Sequence, residues 1–191
     1  LLGNLWIKSA AQHRLMYEPT WLGRPVIQFP TDIVAIQEMI WKIRPDVIIE
    51  TGVAHGGSLV LSASILEMIG KGKVVGVDID IRPHNRVAIE SHPLKHRIEL
   101  IEGSSIAPDT LTAVRMAVGS AGTVLVMLDS NHTEAHVLQE LELYSPLVTP
   151  GSYIVAHDGA QGWVWDIPNG NSEWKDDHPL GAISKFLASC D

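Results

Sequence analysis

The sequence predicts an α/β fold with a doubly wound, mostly parallel, Rossmann-like sheet. Two observations carry this expectation. Short apolar runs alternate with segments of helical periodicity along most of the chain, as in a parallel sheet covered by helices on both faces. Each run also ends in acids, serines, glycines or histidine, at the sheet edge where open α/β folds bind ligands.

The elements follow in order. Residues 1–30 carry Trp6, Trp21, Pro19, Pro25 and Pro30 and read as an irregular N-terminal extension, followed by one domain over 31–191. Residues 32–43 place Ile33, Val34, Ile36, Met39, Ile40 and Ile43 at near-helical spacing, and Pro45 ends that helix. Strands are expected at 46–50, 73–77, 97–101, 122–128 and 151–155. Helices are expected at 57–69, about 85–91, 108–118, 134–145 and 179–188. Right-handed crossovers join the strands.

Composition sets the outer bounds. A chain of 191 residues that is 46% hydrophobic and 19% charged can bury a core as one globular domain. A net charge of −8 argues against general nucleic-acid binding, which needs a clustered positive face. No apolar run approaches the ~20 residues of a membrane span. Cys190 is the one cysteine, so no internal disulfide forms, and a cytoplasmic location is expected. The chain begins at Leu1 rather than Met, which leaves its true start open.

The first strand runs into a glycine turn, "VIIETGVAHGGS" at 47–58. This is not the G-x-G-x-x-G of a dinucleotide site, and Glu50 beside it would repel a pyrophosphate. It would suit an ammonium. Gly52 and Gly56 let the backbone approach a ligand, and the helix start near Ser58 can face a carboxylate. Asp78, ending the second strand, can accept both hydroxyls of a ribose. An amino acid at the first strand and a ribose at the second describe S-adenosylmethionine. Ser104 after the third strand and Asp129 after the fourth complete the expected cofactor contacts.

The segments "YEPTWLGRPVIQFPTD", "RPDVIIETGVAHGGS", "GVDID", "IEGSS", "MLDSNHTEAHVLQEL" and "GSYIVAHDG" span roughly 17–159. In this order they resemble class I S-adenosylmethionine-dependent O-methyltransferases, closest to the cephalosporin hydroxylase and rhamnosyl O-methyltransferase family. The resemblance implies a methyltransferase sheet and an O-methyltransferase acting on a sugar or a small secondary metabolite. It also implies a divalent metal, usually Mg²⁺, held at the ends of the fourth and fifth strands by Asp129, His157 and Asp158. His157 stands where an acid or amide is expected, and imidazole suits Mn²⁺ or Fe²⁺ better than Mg²⁺. Related sugar O-methyltransferases place a base three residues after the acid, here His132 after Asp129. Such sheets carry two more C-terminal edge strands, which this sequence lacks, and a bare edge invites a homo-oligomer.

Other residues have two readings each. His55 in the glycine turn is solvated or touches a ligand, and His136 packs or bonds locally. Trp163, Trp165 and Trp174 fall in a long polar stretch that suits a lid over a flat acceptor, a surface groove or a subunit contact. Two rival functions use the same sheet: a nicotinamide-dependent oxidoreductase, and a cofactor-binding protein without activity. The glycine spacing opposes the first, and the intact Asp129, His132 and Asp158 oppose the second.

Overall fold

A computed structural model of the chain describes residues 2–190. Leu1 and Asp191, the outer ends of the expected domain division, lie outside them. After helix α1 (Leu2–Gln12) comes a small antiparallel hairpin of β1 (Thr20–Trp21) and β2 (Arg24–Pro25). The remaining elements alternate: α2 (Pro30–Ile43), β3 (Val47–Thr51), α3 (Gly57–Ile69), β4 (Lys73–Asp78), α4 (Pro83–Glu90), β5 (Ile98–Glu102), α5 (Pro108–Val118), β6 (Val124–Leu128), α6 (Glu134–Tyr144), β7 (Ile154–Ala156) and α7 (Pro179–Ala188). The five-stranded sheet runs β5-β4-β3-β6-β7 with every pairing parallel. This is the doubly wound sheet the alternation predicts.

The strands are sorted by their side chains. In β3 and β6, Ile48, Leu125 and Met127 face the layer of α2 and α3. Val47, Ile49, Val124, Val126 and Leu128 face the layer of α5, α6 and α7. With both faces buried, every residue of β3 and β6 is inside, so no polar–apolar alternation appears in their sequences. The buried α3 is apolar all round for a similar reason: it lies between the sheet, α2 and the hairpin, and only a few of its residues reach water.

Chain order reverses between β3 and β6. Thr51 pairs with both Val77 and Leu128, so the ends of β4, β3 and β6 are level and open one crevice. Two glycines make the crevice tight. Gly52 has φ +90°, and a Cβ there would lie 2.0 Å from the Asp129 carbonyl oxygen. At Gly57 a Cβ would lie 2.0 Å from the Pro25 carbonyl oxygen, so the hairpin sits directly on the start of α3.

Three expectations are corrected. The first 30 residues are not irregular throughout, since α1 and the hairpin occupy part of them. Ala10 and Ala11 bury one side of α1, Lys8 pairs with Asp166 at 2.6 Å, and Asn169 donates to the Ala11 carbonyl at 3.2 Å. The fifth strand begins at Ile154 rather than 151, because Gly151 takes φ +85° in a turn closed by Ser152 N–H on Thr149. The long stretch before α7 holds two short 3-10 turns, Gln161–Trp163 and Ser172–Lys175.

Candidate active site

The glycine turn is braced from three sides. The Arg24 guanidinium donates to the His55 carbonyl at 2.9 Å and to the Asn85 side chain at 3.0 Å. Buried Asn85 in turn donates to the Ala54 carbonyl at 2.8 Å. The Asp78 carboxylate accepts from the amides of Val53 at 2.7 Å and Ala54 at 3.2 Å through one oxygen, and from Asp80 at 3.1 Å through the other. Asp78 therefore shapes the turn as well as ending its strand, and keeps one lone pair to spare, on the oxygen that Asp80 meets. His55 is half-buried, and its backbone carbonyl is the part of it that is bound.

Glu50 lies at the floor of this turn with 2% of its surface exposed. Its Oε1 accepts a hydrogen bond from Ser58, while its Oε2 has no partner among the described residues. Burial pushes its carboxyl up to about 7, against the pull of the Ser58 hydrogen bond. A buried carboxylate with one free oxygen is destabilised until a cation or a proton meets it. A small cavity of about 40 Å³ reaches the turn, lined by Pro25, Gln28, Gly52, His55, Ser58 and Asp129 among others. Ser104, by contrast, is half-buried after β5 and does not line it.

On the far side of Gly52 the acid–histidine cluster begins. Asp129 follows β6, His132 precedes α6, and Asp158 follows β7 with φ +55°, a backbone strain common at functional sites. One side-chain ligand atom from each of these three lies within 4.8 Å of the other two. His132 Nδ1 is 2.9 Å from an Asp158 oxygen. His157 stands at the margin: its Nδ1 is 3.9 Å from Asp129 Oδ2, beyond hydrogen-bond reach, and the close cluster has His132 instead.

The electrostatics divide the acids. Burial drives Asp129 well above the ordinary carboxylate range, and the negative charges of Asp158, Glu50 and Glu140 add to it. Burial would raise Asp158 too, but the hydrogen bond and charge of His132, with His157, hold it below 3.8. Burial works against the charged form of His132, yet Asp158 outweighs it and raises the imidazole above 6.5. Burial leaves His157 lowered, so its ring is neutral at pH 7. A site in which burial and neighbouring acids disfavour the charge of one carboxyl is suited to receive a cation.

Several contributors were not legible in the sequence. Arg24 and Asn85 brace the turn from distant segments. Half-buried Ser130, next in sequence to Asp129, donates to buried Glu140 and lies within reach of His136. His136, expected to pack or bond locally, bonds across elements, with Ser105 and Ser130. The signal for Glu140 was its place on the apolar face of the helix, three residues after Val137 and beside Leu141. Of the three tryptophans, Trp163 and Trp165 are exposed, and Lys175 lies over the Trp165 ring at 5.5 Å. Trp174 reaches the site through Gln161. With its amide turned to satisfy both partners, Gln161 donates to the His132 carbonyl at 3.2 Å and accepts from the Trp174 indole at 2.9 Å.

Comparison with known proteins bears on the family and the fold. A family model described as rhamnosyl O-methyltransferase/CmcI matches residues 13–191. The rhamnosyl O-methyltransferase of Mycobacterium leprae is 32% identical over 141 residues, covering 73% of this chain and 59% of that protein. That of Mycobacterium tuberculosis H37Rv is 30% identical over 160 residues, covering 82% and 59%. The chain thus spans about 59% of the length of these relatives. Among solved structures, an O-methyltransferase from Bacillus cereus in complex with SAH superposes with a TM-score of 0.64 at 17% identity, covering 97% of this chain and 77% of that one. CmcI with Mg and SAM gives 0.61 at 22%, covering 88% and 67%. MycE from the mycinamycin biosynthetic pathway, with Mg and SAH, gives 0.60 at 19%, covering 95% and 48%. These likenesses establish the fold.

Proposed function

The chain belongs to the rhamnosyl O-methyltransferase/CmcI family, and from that premise we propose that it is an S-adenosylmethionine-dependent, divalent-metal-assisted O-methyltransferase. The acceptor is a hydroxyl of a sugar or small secondary metabolite. One observation carries the reading. The bare Cα of Gly52 rests against the Asp129 carbonyl, so the turn that would hold the methyl donor and the cluster that would hold the acceptor share one wall. CmcI with Mg and SAM, and MycE with Mg and SAH, have the same fold. A cytoplasmic setting belongs to the proposal and suits a chain whose one cysteine, Cys190, is exposed and free. Among the described residues no helix is long and apolar enough to cross a membrane.

Bound S-adenosylmethionine supplies an electrophilic methyl group, and a divalent ion supplies charge that lowers the acceptor hydroxyl's pKa. The protein's part is placement. Glu50 would neutralise the ammonium with its free oxygen, and Asp78 would accept from one ribose hydroxyl with the lone pair left on its Oδ1. Asp129 and Asp158 hold the ion, while Asp158 also fixes His132 with Nδ1 toward the acid. That leaves Nε2 of His132 to accept the acceptor's proton. Fixing donor and acceptor in line is worth a large share of the barrier.

Transfer of radiolabelled methyl from S-adenosylmethionine to a panel of sugars and hydroxylated metabolites tests the reading. With any acceptor found, removing metal by EDTA should stop transfer and Mg²⁺ should restore it. Full activity in the metal-free protein would leave Asp129 and Asp158 as plain acceptor contacts. A marked preference for Mn²⁺ or Fe²⁺ would point to an imidazole ligand.

Glu50 gives a pH prediction. Its carboxyl must be ionised to meet an ammonium, and with its pKa at about 7 it is mostly protonated below that pH. Cofactor binding should therefore release a proton in mild acid. From about pH 7 to about pH 5 the dissociation constant should rise close to tenfold per unit, and Glu50→Gln should flatten that slope. Calorimetry in buffers of different ionisation enthalpy measures both. The sign for the ligand-free fold is the opposite: the Glu50 contribution is fully present below 4.5 and is lost as pH rises through about 7. A flat affinity profile in the wild type would remove Glu50 from the ammonium.

A further inference from the structure

Asp129 and His132 sit after β6, while Ser104 and Ser105 sit after β5. These strands are not neighbours, because β4 and β3 lie between them. No strand pairing keeps their two loops in register. Helix α6 does so instead. His136, Glu140 and Tyr144 recur every four residues and form a stripe on one helix face. The Tyr144 hydroxyl donates to the Ser105 carbonyl at 2.8 Å. His136 Nε2 is 3.1 Å from the Ser105 hydroxyl and 3.2 Å from the Ser130 hydroxyl. Ser130 donates to Glu140 Oε1 at 2.7 Å.

The protons in this chain have a direction. A serine hydroxyl has one proton, and that of Ser130 goes to Glu140. Toward His136, Ser130 can therefore only accept, so His136 carries its proton on Nε2. This order argues against Ser130 as a nucleophile activated by His136, because the serine O–H donates to the acid and not to the imidazole. Glu140 is 0% exposed, and its Oε2 has no partner among the described residues. Leaving a buried carboxyl half-satisfied is costly for a helix whose only task is packing.

We infer that Glu140 is a positioning residue which, through Ser130 and His136, locks the Asp129–His132 loop to the Ser104–Ser105 loop. The geometry of the network stands alone, whereas its value for methyl transfer rests on the function proposed above. Its removal would leave the glycine turn intact and let the acceptor side drift from the donor side.

Ser130→Ala, which removes a single oxygen, and Glu140→Ala test this by two routes. The first is kinetic. Each variant should lose about 10- to 100-fold in kcat, the usual effect of removing an outer support, with S-adenosylmethionine affinity unchanged by calorimetry. The second needs no activity. In the protein without ligands, the imidazole ¹⁵N resonances of His136 and His132 should both shift in Ser130→Ala. A His132 signal that stays in place, or a wild-type kcat in Ser130→Ala, overturns the proposal. If the wild type transfers no methyl group, the functional reading fails, and the resonance shifts still decide the positioning role.

Discussion

Asp129→Asn should lower methyl transfer by about a thousandfold or more while leaving the fold as stable as before. The substitution keeps the side chain's size and removes its capacity for charge. On the proposed reading, an ion held partly by Asp129 would stabilise the developing transition state by several kcal/mol, and about 4 kcal/mol corresponds to ~10³ in rate. The stability half of the prediction follows from the site's electrostatics. Burial together with Asp158, Glu50 and Glu140 already disfavours the charged form of Asp129, so an amide removes no favourable charge from the ligand-free protein. Structural acids behave in the opposite way, losing stability when neutralised. Thermal unfolding beside single-turnover kinetics separates the two. A variant that keeps its rate, or one that loses its rate only by unfolding, would refute the assignment.

What could be read in advance followed from chain-local physics. Apolar runs with helical stretches between them gave the parallel sheet, since β3 and β6 are buried on both faces and carry no alternation to confuse. Strand ends pointed to Glu50 and Asp78, and the loops after strands to Asp129 and Asp158, because an open sheet gathers its strand ends at one edge. Helix α1 was missed because its local signals are poor: no acid in the first turn, no base in the last, and large apolar residues that remain exposed, such as Leu2 and Leu5.

The other gaps come from contacts that sequence separation hides. Arg24 reaches His55 and Asn85 across 31 and 61 positions, and spacing gives no hint of either. Read from the sequence, His157 joins Asp129 and Asp158 as an ion ligand and His132 stands apart as a base. Only the turn after β7, with Asp158 at positive φ, aims Asp158 at His132 and leaves His157 Nδ1 3.9 Å from Asp129. Asp78 illustrates a different limit. Its side chain was read for a ligand, while its first duty in the fold is to hold the amides of Val53 and Ala54. Both roles are compatible only in part: Val53 and Ala54 fill Oδ2 and Asp80 takes one site on Oδ1, so Oδ1 keeps one lone pair for a ribose hydroxyl rather than two.

His132→Ala should slow chemistry by about 10²-fold or more without weakening the cofactor's hold. Position is the reason. His132 follows β6 and contacts Asp158, on the proposed acceptor side of Gly52, whereas the proposed ammonium and ribose contacts belong to β3 and β4. General-base catalysis is worth about 10²–10⁴-fold, and activation of the acceptor by an ion already supplies part of that, which favours the lower end. The pH profile gives an independent signature. The base must be neutral, and Asp158 raises it above 6.5 despite burial, so kcat should climb through a limb on the alkaline side of 6.5. Stability runs the other way. The charged His132–Asp158 pair supports the fold fully below 6.5, and that support is lost as pH rises through the raised value, so the fold weakens slightly where the rate is highest. His132→Ala should erase the limb and this stability step together. A variant that keeps wild-type kcat and the limb moves the proton elsewhere, and His157, neutral at pH 7 and close to Asp129, becomes the better base.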